Sequence, residues 1–220
     1  MPAAEDQPAA SPARSARRQQ TESAILEAAL DVFALHGFRG TTLDQIAERA
    51  EVSKPVLYQH FPGKLDLYLA LLDNQCDHLE TLVLEALNSS EDHEERVYAT
   101  VRAFFTFVAD EGGAFRLIYE SDLTNEPQVR HRIDALEAQL GEAIAQRIIQ
   151  DTTLPLELAE MLGLAMSGAA QVMARTWLAH GSQFPLEVAA QAAGHLAWRG
   201  IGSFPVNRMG DPDRGTPGQE

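Results

Sequence analysis

Residues 41–64, TTLDQIAERAEVSKPVLYQHFPGK, spell two short helices joined by a tight turn. Thr42 stands three residues before Gln45, the spacing of a capping box, which satisfies two of the orphan amides at a helix start. The first helix is expected to bury Leu43, Ile46, Ala47 and Ala50 on one face. Ala50, Glu51, Val52 and Ser53 make the turn. Ser53 is placed to cap the second helix, and Pro55 is tolerated in its first turn. Leu57 and Phe61, four apart, point inward with Val52, leaving Lys54, Pro55, Val56, Tyr58, Gln59 and His60 outward. A solvated helix face ordinarily carries Glu and Lys. This one holds a lysine, an amide, a phenol and an imidazole but no acid, groups that donate to phosphate oxygens or read base edges. The pattern is a helix-turn-helix that presents one short helix to a groove.

The side chains divide by chemistry. Lys54 suits guanine, Gln59 suits adenine, and Pro55 or Val56 suits a thymine methyl. Thr42, Tyr58, His60 and Lys64 suit phosphates, and Thr41 and Ser53 complete the candidate set.

Upstream, TESAILEAALDVFALHGFRG (21–40) places Ile25, Ala29, Val32, Phe33 and His36 at helical spacing. With Thr41, Thr42, Ile46, Ala47, Val52, Ser53, Leu57, Tyr58, His60, Phe61 and Lys64, the stretch from about 20 to 68 resembles the DNA-binding domain of the TetR (tetracycline repressor) family of bacterial regulators. One position departs from that pattern. Glu51 stands where the family often has glycine; if the turn needs φ > 0 there, a side chain costs roughly 1 kcal/mol. Glu51 also sets a negative charge near the DNA face.

The chain of 220 residues is 45% hydrophobic, enough for one sizeable core or two small ones. The longest uncharged run, Met161 to Ala174, contains Ser, Gly and Gln and falls short of the roughly 20 apolar residues of a bilayer span. MPAAEDQPAASPARSARRQQ at the start has no apolar core, and no secretory signal is expected there. The single cysteine, Cys76, excludes an internal disulfide and fits a cytoplasmic protein. A Gly-rich phosphate loop, GxSxG and HExxH are all missing, and Cys76 has no nucleophile signature, so neither an enzyme nor a cofactor is expected. Asp73, Cys76, Asp77, His78 and Glu80 cluster as charges on an exposed helix face do, and no metal site is expected.

A net charge of −15 suits a DNA binder only once it is split. Residues 1–64 hold seven basic and eight acidic groups, net −1; residues 65–220 hold ten and 24, net −14. The acidity belongs to the part DNA should not touch, which favours one docking pose. Glu22, Glu27 and Asp31 are expected on the first helix, away from 53–64.

The fold expected is all-α, with about nine helices. Residues 1–18 read as a disordered Pro/Ala/Ser-rich tail, 19–64 as the DNA-binding domain, 65–204 as a helical body and 205–220 as a disordered tail. Arg14, Arg17 and Arg18 suit a solvated linker and a minor-groove arm equally. Helices are expected over about 64–87, 91–110, 114–120, 126–150, 156–180 and 186–201, the last two rich in Ala, Gly and Ser.

The resemblance implies that this body binds a ligand and dimerises through its last two helices, which gives a homodimer on a palindromic double-stranded operator with half-sites about 34–36 Å apart. Pocket candidates are Phe104, Phe105, Phe107, Phe115, Leu117, Ile118, Tyr119, Met161, Met166, Met173 and Trp177. Phe104 through FRLIYESDLTNEPQV and the YLALL run near Tyr68 also resemble the branch typified by FasR, which implies control of fatty-acid synthesis in response to long-chain acyl-CoA. The alternatives are a regulator of drug efflux or catabolism answering another apolar or aromatic molecule, and a helical adaptor. The adaptor leaves Thr42, Tyr58, His60 and Lys64 unexplained. Repression is the commoner mode in the family.

Overall fold

The computed structural model describes residues 12–110, 112–123, 125–181 and 183–201. Among them are nine helices and no β-strand: α1 (Pro12–Gly40), α2 (Leu43–Arg49), α3 (Lys54–His60), α4 (Lys64–Leu87), α5 (His93–Asp110), α6 (Gly112–Tyr119), α7 (Pro127–Asp151), α8 (Leu156–Ala179) and α9 (Leu186–Ile201). The tail expected at 205–220 and the first eleven residues of the N-terminal tail lie outside the described residues. No described helix is long and apolar enough to cross a membrane.

Two compact units are present. One runs up to Gln75 and takes in Gly113–Arg132; the other holds Cys76–Gly112 and the chain from Ile133 onward. The division falls inside α4, not at the expected boundary after Lys64. The reason is local: the Tyr68 hydroxyl lies 3.1 Å from Leu117 O and 2.5 Å from Ser121 Oγ, tying the start of α4 to α6 and the loop after it.

In the first unit α1 begins at Pro12, so Arg17 and Arg18 are exposed on a helix and not on an extended arm. Ala13, Ala16, Arg17 and Gln19 are good helix formers, and proline is tolerated in a first turn. The helix is interrupted at Gly37, where φ is +67°, a conformation that L side chains rarely adopt. Ile25, Ala29 and Phe33 are buried, whereas His36, at the same helical spacing, is exposed beside that break. Helices of seven residues, such as α2 and α3, are not stable alone. They persist because Ile46, Ala47, Leu57 and Phe61 are buried together, the large side chains contributing about 1.5–3 kcal/mol each.

In the second unit α5 packs along α9 and α8. Small residues set the approach distances. A Cβ on Gly163 would lie 2.2 Å from Gly141 O, so α7 and α8 cross nearly backbone to backbone. Ala145, Ile148 and Ala159 are buried just beyond that crossing, against Leu162 and Met166.

Candidate nucleic-acid interface and effector cavity

The turn between α2 and α3 is built as its residues require. Gln45 N donates to Thr42 Oγ1 (3.3 Å) and Thr42 N donates to Gln45 Oε1 (2.8 Å), which closes the capping box. Glu51 has φ 54°, the left-handed conformation that glycine would supply without strain. Ser53 precedes α3 but makes no side-chain cap. Pro55 in the first turn has no N–H to offer it, and only the Ser53 carbonyl serves the helix, accepting from Val56 N (3.0 Å) and Leu57 N (3.1 Å).

Leu57 is fully buried, while Ser53, Lys54, Pro55, Tyr58 and Gln59 are exposed and Val56 is half-buried. With Thr42 and Gln45, exposed at the start of α2, they make one polar face. Its one lysine is engaged: Nζ lies 2.6 Å from Asp44 Oδ2, and that hydrogen bond raises the Lys54 pKa.

Three residues of the expected DNA-binding set turn inward, two of them, His60 and Lys64, expected at phosphates. Thr41 is buried, and its hydroxyl donates to Gly37 O (2.7 Å) and Val32 O (3.3 Å). Lys64 Nζ donates to Phe38 O and Thr41 O, each at 2.7 Å, and sits 4.4 Å from the Phe38 ring centroid. Both satisfy carbonyls around the end of α1, where Phe38 O also accepts from Thr41 N (3.4 Å). The His60 side chain is 8% exposed, with Nδ1 3.5 Å from Glu22 Oε2. Glu22 is therefore against the 53–64 segment, not away from it, whereas Asp31 pairs with Arg49 at the end of α2 (2.6 Å). Asp122, which no motif marks, accepts from Phe38 N (3.2 Å) and Arg39 N (3.3 Å) on the other side of the same joint.

The second unit contains a partly open cavity of about 400 Å³ between the end of α4, α5, α7, α8 and α9. Of the pocket candidates, Phe104, Met166 and Met173 line it. Phe105 and Phe107 are buried core, packed on Trp177 (5.9 Å) and His78 (6.0 Å). Trp177 instead donates Nε1–H to Phe184 O (2.8 Å). Phe115, Leu117, Ile118 and Tyr119 belong to the other unit, and Met161 is exposed on α8. Apolar composition alone does not separate core from cavity wall.

Sequence reading missed the polar end of the cavity. Arg96, in the first turns of α5, is buried; it donates to Ser90 O (2.9 Å) and pairs with Asp151 at the end of α7. His93 Nε2 lies 3.5 Å from the other oxygen of Asp151. Arg147 donates to Leu87 O (3.1 Å) and Gln150 Oε1 (2.7 Å). A signal for two of these was present: Arg96 lies two turns before Phe104, and Asp151 continues the apolar stripe Ile144, Ile148.

A short amide- and phenol-bearing helix held out by a helix-turn-helix, followed by a helical body, defines the class of DNA-binding transcriptional regulators. The family profile described as "Bacterial regulatory proteins, tetR family" matches residues 25–71. The HTH-type transcriptional activator FasR of Mycolicibacterium smegmatis is 35% identical over 191 residues, 87% of each chain. The regulator RutR of Escherichia coli is 52% identical over 59 residues, 27% of this chain and 28% of its own. A TetR-like transcriptional regulator from Rhodococcus sp. RHA1 superposes with a TM-score of 0.69 at 26% identity, over 90% of this chain and 100% of that one. FadR from Bacillus subtilis, solved with stearoyl-CoA, has the same fold at 17% identity and a TM-score of 0.64, over 80% of this chain and 96% of that one. The chain belongs to the TetR family of transcriptional regulators.

Proposed function

We propose that this regulator binds a palindromic operator as a homodimer through α3 and that a long-chain acyl effector, acyl-CoA in class, occupies the cavity of the second unit and sets operator affinity. Control of fatty-acid or lipid genes follows from that effector. The observation that carries the reading is the cavity, whose α5, α7 and α8 walls present Val101, Phe104, Leu140, Ile144, Met166 and Met173, a surface suited to an alkyl chain. The likeness to FasR along most of the chain and the stearoyl-CoA bound by FadR support it.

Base reading is assigned to Lys54, Pro55, Val56 and Gln59, and phosphate contact to Thr42, Ser53 and Tyr58, the members of the expected set that stay on the exposed side. The dimer is assigned to α8 and α9, which expose Met161, Leu164, Val172, Val188 and Leu196, far more apolar surface than a solvated helix pair carries.

A gel shift with the DNA upstream of the protein's own gene, titrated with acyl-CoAs of increasing chain length, tests the reading. Salt-sensitive, sequence-selective binding that changes with chain length is expected. Binding that answers an unrelated aromatic drug and no acyl-CoA removes the lipid effector and leaves only a generic ligand-responsive regulator.

A further inference from the structure

We infer that Arg147 is the anchor for an anionic head, so that the cavity takes an alkyl chain ending in a carboxylate or phosphate and discriminates against the same chain with a neutral end. This rests on the lipid reading of the cavity and adds the chemistry at its polar end.

The charged lining is segregated: His93, Arg96, Arg147 and Asp151 come from the start of α5 and the last turns of α7, with Thr152 just beyond. The uncharged hydroxyls Thr100 and Ser167 lie apart from them on α5 and α8. Phe104 lies eight residues further along α5 than Arg96, and Leu140 seven residues before Arg147 on α7, each separation about 10–12 Å of helix. The charges at this end do not cancel. Asp151 is the one carboxylate lining the cavity, and it is taken by Arg96, with His93 on its second oxygen. Thr152 is also spent, its hydroxyl donating to Ile148 O (2.6 Å).

Arg147 differs. Its two acceptors, Leu87 O and Gln150 Oε1, are both neutral. A guanidinium has five N–H groups; Nε–H and one Nη1–H are used, which leaves three, including both on Nη2. The Leu87 bond fixes the plane of the fork at the end of α4, so the remaining donors are oriented before a ligand arrives. A planar fork with an uncompensated charge beside an apolar wall is the arrangement that favours a carboxylate or phosphate oxygen over water. Arg96 holds the frame and Arg147 meets the ligand.

The test compares palmitate, palmitoyl-CoA and methyl palmitate on the full-length protein by intrinsic-fluorescence or calorimetric titration. The wild type is expected to bind at least one anionic ligand about tenfold or more tightly than the methyl ester, the scale of one charge-assisted hydrogen bond. Preference for palmitate identifies the carboxylate as the head, and preference for palmitoyl-CoA identifies the phosphates. Arg147→Gln, which keeps a donor for Leu87 O, is expected to erase that ratio while methyl palmitate affinity stays within about twofold. Arg147→Lys, keeping the charge but not the fork, should restore part of it. Equal losses for charged and neutral ligands would make Arg147 merely structural and overturn the inference. So would a wild type indifferent to the head, which would still leave the acyl cavity standing. Failure of all three ligands to bind the wild type would instead remove the lipid reading beneath it.

Discussion

Lys54 Nζ lies 2.6 Å from Asp44 Oδ2, which makes that carboxylate a competitor of any phosphate or guanine for the same charge. On docking, the lysine must exchange one anion for another, and the gain is smaller than for a free cation. Asp44→Asn is therefore expected to tighten binding to operator and random DNA alike and to steepen the salt dependence by about one unit, read from gel shifts at several salt concentrations. Lys64→Ala should behave oppositely to a lost phosphate contact. Because Lys64 satisfies Phe38 O and Thr41 O, its loss should lower the melting temperature and weaken operator binding without changing the salt slope. A flattened slope at unchanged stability would return Lys64 to the phosphates. At Glu51, with φ 54°, substitution by glycine removes the left-handed strain and should raise stability by about 1 kcal/mol in urea unfolding. Gln59→Ala is expected to cost about 1–3 kcal/mol on the operator and relax specificity at one base pair, measured against a panel of single-base variants. Equal loss on every sequence would remove Gln59 from base reading.

At the level of elements, punctuation in the sequence did most of the work. α4 and α9 fall at 64–87 and 186–201, where apolar periodicity and flanking breakers predict them, and the Thr42–Gln45 box closes as its spacing requires. These signals are local, each readable within about a turn. What was not legible depends on partners distant in sequence. Thr41 and Lys64 look like exposed donors until the end of α1 folds back to supply carbonyls for them, and Lys64 reaches across 26 residues to Phe38. Phe107 and Phe104 are the same residue type on one helix, yet one is core and the other cavity wall. Helices α8 and α9 show the same limit. Ala193, which composition suggests as a contact between copies, is buried within its own unit and lines the cavity, so it is no probe of dimerisation. Val172 and Val188 are the better probes, each more than half exposed within its apolar stripe. Val172→Glu with Val188→Glu places charges where two copies would meet, and light scattering should report a monomer with operator affinity collapsed. A dimer that survives both changes would place the interface elsewhere.

Across the whole molecule, α4 is the element that belongs to both units, giving Lys64 to the first and Val83 and Leu87 to the cavity wall of the second. The same helix that borders the cavity thus starts on the joint at Phe38 and Thr41 that leads into α2. A ligand that displaces Val83 and Leu87 can bias the orientation of α4 and with it the spacing of the two α3 helices in a dimer. An operator with fixed half-site spacing cannot follow that change, so affinity moves in whichever direction the ligand's preferred state dictates. The coupling is expected to be at least about fivefold, the low end of ordinary allosteric coupling. Linkage then sets a stricter condition than the shift itself: operator DNA must change acyl-ligand affinity by the same factor and in the same sense. Measuring ligand affinity with and without a saturating operator duplex, alongside operator affinity with and without saturating palmitoyl-CoA, checks both arms. A shift in operator affinity that keeps growing with ligand concentration, without reaching a plateau, would mean that the ligand competes for the DNA face itself. Equal factors near one would mean that α4 carries no signal, however well the cavity fills.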